Sequence, residues 1–408
     1  MKIALLHYSG PPVVGGVESV MAHHARLMAD AGQSVTIFAG RGEAVDERIS
    51  VRVLPRLSSR HPEVLEVKRR LDEGHCEAAF DRLQAEIQAE MLAELRDYDL
   101  LIAHNVATLH KNLPLTAALH NAYLSAGFPR LILWHHDLAW AMPRYRHELH
   151  SGFPWDLLRQ RWEGAAQVTV SEVRRAQLME LWGVHADSIQ VIPNGVDLRS
   201  FFKLEPETMD LIDRLRLMEA DPLLLLPVRL TPRKNIELAL HVLAELRKDV
   251  PTAMLLTTGP QGPHNPANAA YERKLLDLRD SLQLRGWAHF LAEKADGFVP
   301  DAVIADLYRM ADALLIPSRE EGFGIPLIEA AVSRLPIFCA DIPALRELGG
   351  EDVTYFEPDA DAAEIAARIR ARLQADATSR WSRRARHAYA WEQIYQTRID
   401  PLIREVAA

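Results

Sequence analysis

The chain has 408 residues, 48% of them hydrophobic, and a formal charge of −9 at neutral pH. That length exceeds the roughly 250 to 300 residues at which one hydrophobic core stops growing, so two domains are expected. A pI near 6.0 argues against a nucleic-acid binder, for which a pI above about 9 is usual, while leaving room for local basic sites that hold small anions.

Cys76 and Cys339 are the only cysteines and lie far apart without metal-ligand spacing, which fits a reduced, cytosolic setting. The opening "MKIALLHYSGPP" has an apolar run too short for a signal-peptide core. No run approaches the roughly 18 apolar residues of a membrane span. A soluble cytoplasmic protein without a transmembrane segment is the expectation.

Short β-rich runs alternate with helical patterns throughout, the sign of βαβ units and parallel sheets. In the first half the predicted strands are Lys2–Tyr8, Ser34–Ala39, Asp99–Asn105, Arg130–His136, Gln167–Ser171 and Ser188–Pro193. In the second they are Leu223–Val228, Ala253–Thr258, Ala288–Ala292, Ala313–Ser318, Pro336–Ala340 and Thr354–Glu357. These later runs are continuously apolar, as strands covered on both faces should be. Two doubly wound halves are predicted to join near "NGVDLRSFFKLEP" (194–206), with closing helices from Thr378 onward. The stretch 62–96 reads as an acidic helix solvated on the first domain.

Several loops carry chemistry. "SREEGFGIPLIEA" (318–330) follows an apolar strand and opens a helix, with Pro326 suited to its first position. Gly322 and Gly324 can let backbone N–H groups converge where a helix start already favours an anion. Glu321 and Glu329 could reach one ligand from two sides as acceptors for vicinal hydroxyls; a surface glutamate and a dipole-complementing one are an even alternative. In "PVRLTPRKN" (227–235) Arg229 and Lys234 sit at a strand end, where two cations would neutralise a diphosphate. The turn "HYSGPPVVGGVESVM" (7–21) is Gly-rich without matching a dinucleotide or P-loop pattern, and Glu18 follows it. "LILWHHDLAW" (131–140) ends a buried strand on His135, His136 and Asp137, better suited to hydrogen-bonding a substrate than to holding a metal. The one D-x-D, Asp359-Ala360-Asp361, is better explained as a helix cap.

Taken in order, these loops resemble the retaining glycosyltransferases of family 4. The most specific element is the pair of glutamates seven residues apart, Glu321 and Glu329, around Gly322-Phe323-Gly324. "VRLTPRKN", "GGVE", "HHD" and "VIPNGVD" are similar to the family's Arg/Lys pair, glycine loop, His-bearing strand end and domain junction. The resemblance implies an α/β GT-B fold, two Rossmann-like doubly wound domains facing across a cleft, with a C-terminal helix crossing back. On this reading 1–200 binds the acceptor, 201–380 binds the nucleotide sugar, and 381–408 packs on the first domain.

The resemblance also implies roles. Arg229 and Lys234 hold the donor diphosphate, Glu329 the ribose, and Glu321 with the backbone of Gly322, Phe323 and Gly324 the donor sugar. His136 contacts the sugar near the reacting centre, with His135 the alternative, and Gly16 allows the diphosphate and acceptor to approach closely. The base would contact strand ends around Phe290 to Glu293. The implied reaction moves a hexose, glucose or mannose, from a nucleoside diphosphate sugar, UDP- or GDP-hexose, to an acceptor hydroxyl with retention. No metal and no cofactor beyond the donor are expected.

The acceptor is read as a small soluble sugar, glycerate-like acid or sugar phosphate, with Arg144 and Arg146 able to meet an acidic one. A lipid-linked or polymeric glycan acceptor and a non-catalytic nucleotide-sugar binder are the rival readings. Domain closure would complete the site, and a homo-oligomer is left open. The arginines at 380, 383, 384 and 386 are expected on a solvated helix face. The loop 257–271 departs from the family's usual Gly-rich turn and would shape an acceptor pocket or an oligomer contact.

Overall fold

The computed structural model of the chain describes residues 1–76, 78–260, 267–293 and 299–408, with backbone alone at 267 and 268. Two compact units emerge, Met1–Val196 with Trp391–Ala408, and Asp197–Ala390.

The first unit holds β1 (Lys2–His7), β2 (Ser34–Ala39), β3 (Ile49–Val53), β4 (Leu100–His104), β5 (Arg130–His135), β6 (Ala166–Thr169) and β7 (Gln190–Val191). They form one parallel sheet in the order β3-β2-β1-β4-β5-β6-β7. Successive residues of each strand feed opposite faces. Ala4, Leu6, Leu101 and Leu133 pack under the helices Pro62–Asp72 and Ala78–Leu95. Ile3, Leu5, Ile102 and Trp134 pack with the helix Gly16–Asp30 and the C-terminal residues Trp391, Ile399 and Leu402. Burial on both faces is why these strands read as continuous apolar runs.

Three expectations are corrected here. The strand β3 was not anticipated, because an edge strand with only Ile49 buried lacks an apolar run. The stretch 62–96 is two helices rather than one, and Gly74, at φ +86, lies in the turn that ends the first. Each buries a stripe in the core: Val64, Val67 and Leu71, then Phe80, Leu83, Ile87 and Met91.

The second unit holds β8 (Leu223–Leu226), β9 (Met254–Thr257), β10 (Ala288–Phe290), β11 (Ala313–Ile316), β12 (Ile337–Ala340) and β13 (Thr354–Phe356), parallel in the order β10-β9-β8-β11-β12-β13. In both sheets the strand order reverses once, between β1 and β4 and between β8 and β11. Open α/β sheets bind ligands outside the carboxyl ends of strands at such switch points. The loops after β8 and β11 are therefore neighbours, since Ala313 pairs with Leu224 and Leu314 with Leu225.

The return to the first unit begins at Trp391, whose N–H donates to the Val196 carbonyl at 3.2 Å. A side chain at Gly195 would lie 2.7 Å from the Trp391 ring, so glycine there lets the indole dock. The preceding helix, Ala377–Tyr389, belongs to the second unit, and two of its arginines are not solvated as expected. Arg386 donates to Asp312 Oδ2 at 2.5 Å and Arg383 to Asp221 Oδ1 at 2.6 Å. Asp312 is buried at the foot of β11, also accepting from Leu223 N, and such a carboxylate requires a cation. Asp361 accepts from Ala363 N at 2.7 Å, the capping role read for the D-x-D. Among the described residues no helix is long and apolar enough to cross a membrane.

Candidate active site

In the second unit the two loops at the β8/β11 switch point are bonded to each other. Lys234, in a short 3-10 turn at 232–234, reaches Glu321 and donates to its two carboxylate oxygens at 2.5 and 2.6 Å. Both side chains are about nine-tenths buried, at 10% and 8% exposure. Ser318 Oγ donates to Glu321 Oε1 at 2.7 Å, and Arg319 N donates to the Arg233 carbonyl at 2.8 Å. Arg233 donates to the Glu320 carbonyl at 3.0 Å and stands 3.8 Å from Glu321. A cation and a carboxylate are thus held where β8 and β11 end. Arg229 leaves β8 exposed, and no described contact joins it to Lys234 or Glu321.

Beyond Glu321 the chain turns through Gly322, the exposed Phe323 and Gly324. Gly324 has φ +106, a conformation that favours glycine, and a Cβ there would lie 2.8 Å from Leu345 Cδ2 and push that methyl aside. Gly322 faces open space. The helix that follows is Ile325–Val332, so Pro326 stands second in it rather than first. Glu329 is the fifth residue and lies beyond the first turn, which removes the dipole-complementing explanation for it. Its Oε2 accepts from the Tyr308 hydroxyl at 2.7 Å, and no described contact links it to Glu321. Burial first, then this hydrogen bond, raises the Tyr308 pKa and keeps it a donor.

Phe290 and Leu291 are buried, and Glu293 is paired with Arg279 at 2.5 Å. A base bound at these strand ends would meet backbone rather than free side chains. Gly259 lets β9's end pass close to β8's, a Cβ there falling 2.2 Å from the Val228 carbonyl. The loop expected at 257–271 falls in part, at 261–266, outside the described residues.

In the first unit the switch-point loops follow β1, β4 and β5. Ser9 donates to Glu18 Oε1 at 2.5 Å, folding the Gly-rich turn onto the start of the helix Gly16–Asp30. A Cβ at Gly16 would meet nothing within 4 Å, so the unit itself does not require glycine there. Asn105, with φ +60, ties the β4 and β5 ends together, its Oδ1 accepting from the N–H groups of His136 and Asp137 at 2.9 and 2.8 Å.

The paired histidines separate in role. His135 has both ring nitrogens engaged internally, Nε2 donating to Gln167 Oε1 at 2.9 Å and Nδ1 lying 3.2 Å from Thr108 Oγ1. His136 places Nε2 3.2 Å from His104 Nδ1. Burial, then repulsion from His24, His7 and His135, holds the His136 pKa down to about 3, so the imidazole is neutral. Arg144 and Arg146 are exposed in the turn 143–148.

Sequence reading missed Ser318, Arg233, Tyr308, Ser9, Asn105 and His104. Ser318, three residues before Glu321, and Ser9, nine before Glu18 in the same turn, were within local reach; the others act over separations of about 20 residues or more that only the fold brings together.

Two family patterns match the chain: Glycosyltransferase Family 4 over residues 14–200 and Glycosyl transferases group 1 over 210–388. Between them they take in most of both units. An MMP alpha-(1->4)-mannosyltransferase of Mycolicibacterium hassiacum is 26% identical over 387 residues, covering 86% of this chain and 84% of its own. A D-inositol 3-phosphate glycosyltransferase of Kineococcus radiotolerans is 29% identical, covering 59% and 57%. A mannosylglucosylglycerate synthase of Petrotoga mobilis is 23% identical, covering 63% and 62%. The chain belongs to the family 4 type of glycosyltransferase, with its two Rossmann-like GT-B domains, and is a hexosyltransferase.

Proposed function

We propose that this enzyme transfers glucose or mannose from a UDP- or GDP-hexose to a hydroxyl of a small soluble acceptor, with retention at the anomeric carbon. The observation that carries the reading is the buried Lys234–Glu321 pair at the β8/β11 switch point. Lys234, with Arg229, would take the diphosphate and the negative charge that grows on it as the sugar departs. Glu321 and the backbone of Gly322 to Gly324 would then hold the sugar, and Glu329, oriented by Tyr308, the ribose hydroxyls. Open space at Gly16 and Gly322 is what close approach by a ligand requires. A neutral His136 suits hydrogen bonding to the sugar rather than proton transfer.

In the step itself the acceptor oxygen bonds to the anomeric carbon as the bond to the phosphate oxygen breaks. The acceptor proton passes to the departing phosphate oxygen on the same face. Relatives whose names specify inositol phosphate and glucosylglycerate products or acceptors support a small soluble acceptor. A metal-free reaction in the cytoplasm completes the proposal. The test supplies UDP- and GDP-hexoses with a panel of sugars, sugar phosphates and glycerate, with and without EDTA, and reads the product's anomeric configuration by NMR. An inverted product, or activity abolished by EDTA and restored by a divalent ion, contradicts the proposal; donor binding without turnover favours a binding protein.

A further inference from the structure

In the first unit, on the same edge as His136, two cations converge on one aromatic ring. Lys111 Nζ lies 4.5 Å and the Arg144 guanidinium 4.6 Å from the centroid of Tyr145. Lys111 comes from the 3-10 turn His110–Asn112 after β4, and Tyr145 from the turn 143–148 after β5. The two loops are fixed to each other through Thr108, whose hydroxyl donates to the Asp137 carbonyl at 2.9 Å and whose carbonyl accepts from Ala139 N at 2.8 Å. Tyr8 adds a hydrogen bond to the Leu109 carbonyl at 3.0 Å. The convergence is therefore built by the fold and not by a chance meeting of long side chains.

Among the described residues, the neighbouring carboxylates leave Arg144 without a partner and reach Lys111 only at long range. Glu148 Oε2 already accepts from Lys68 Nζ and from His110 Nε2, each at 2.8 Å. Burial works against ionisation of Glu148, yet the bonds from Lys68 and His110 outweigh it and hold its pKa at about 2, so the carboxylate is ionised and bonded through Oε2. Lys111 stands 3.9 Å from the same oxygen, beyond hydrogen-bonding distance. Among the described residues Arg144 has no carboxylate partner and reaches only the Met142 sulfur at 3.4 Å. Lys68, the third cation nearby, is bonded to Asp72 and Glu148, whereas the ring contact of Arg144 gains only about 0.5–1 kcal/mol, little to hold it beside Lys111. Burial first lowers the Lys111 pKa; Glu148 and Asp72 oppose this, while Lys68 and Arg144 push it further down. An added anion relieves this repulsion.

The geometry points to an oxyanion subsite, in which Lys111 and Arg144 receive a phosphate or carboxylate carried by the acceptor. The enzyme's acceptor is then an acid, such as a sugar phosphate or a hydroxy acid, rather than a neutral sugar. This inference rests on the proposed glycosyl transfer, but its test does not depend on it.

The experiment uses the full chain carrying Lys234→Ala, which removes the other candidate phosphate site. Its thermal unfolding midpoint is followed against inorganic phosphate, and separately against glycerate, at constant ionic strength held with chloride. The midpoint is expected to rise with at least one of them. A rise with phosphate assigns phosphorylated acceptors, and a rise with glycerate alone assigns carboxylates. Adding Arg144→Gln or Lys111→Gln should raise the half-saturating anion concentration about tenfold or more, since a bond between charged partners is lost. The exposed control Arg69→Gln should leave it unchanged. No rise with either anion, or a rise that survives the loss of both cations, overturns the inference. Nucleoside diphosphate binding by the unsubstituted enzyme tests the donor site separately, so the two readings fail independently.

Discussion

Replacing Lys234 by alanine removes the one described side chain that bonds both oxygens of Glu321. The remaining carboxylate, 8% exposed, keeps Ser318 at 2.7 Å and a guanidinium at 3.8 Å. Breaking one half of a buried pair typically costs about 3–5 kcal/mol. The two surviving partners place this case near the low end, at about 3 kcal/mol. Removing both charges together, as in Lys234→Met with Glu321→Gln, should return most of that stability, because no uncompensated charge stays behind. Transfer activity should behave differently: the single variant should lose about 10² to 10³ in rate, as loss of one charge-stabilising group does, and the double variant should not regain it. Urea unfolding followed by circular dichroism, with initial rates of nucleotide release, reads both quantities. A single variant as stable as the parent would show the pair to be solvated. A double variant that recovers activity would remove Lys234 and Glu321 from the chemistry.

Gly324→Ala should destabilise by about 1–3 kcal/mol, from its φ of +106 and the contact with Leu345. Gly322→Ala, facing open space, should stay within about 0.5 kcal/mol of the parent; the reverse ranking in urea unfolding would contradict the loop geometry. Glu329→Ala should weaken binding of the nucleoside diphosphate in calorimetry, Tyr308→Phe less so and in the same direction, while unchanged affinity in both would rule out the ribose contact. Burial lowers the pKa values of His24, His135 and His136 to about 3, 4 and 3. The folded state keeps them neutral while the unfolded chain takes up protons below about pH 6.5. Stability is therefore complete above about pH 6.5 and falls with pH, by about 2 kcal/mol for each imidazole between pH 6.5 and 5. A thermal midpoint that stays flat from pH 7 to 5 would refute this.

The parallel α/β architecture was legible because strands such as Leu223–Leu226 and Ala313–Ile316 are covered on both faces and so advertise themselves as apolar runs. The edge strand Ile49–Val53, half exposed, does not. The candidate site was legible where chemistry sits on neighbouring residues of one loop, as at Glu321 and Gly324. Pairing across loops was not. Nothing local ties Tyr308 to Glu329, or indicates that Arg386 lies against Asp312 while Arg229 stays exposed. The different surroundings of His135 and His136 emerged only when the Gln167 and His104 side chains were in place.

The central claim is that the loops after β8 and β11 bind the diphosphate of a nucleotide sugar. The most direct measurement is a thermal-shift screen of the purified enzyme against UDP, GDP, ADP and their glucose and mannose conjugates, repeated with Lys234→Ala. At 100 times its dissociation constant a ligand adds about 2.7 kcal/mol of stability. The account predicts a clear rise with the uridine or the guanosine series that Lys234→Ala abolishes. No rise in folded enzyme, or one that Lys234→Ala leaves intact, would contradict it.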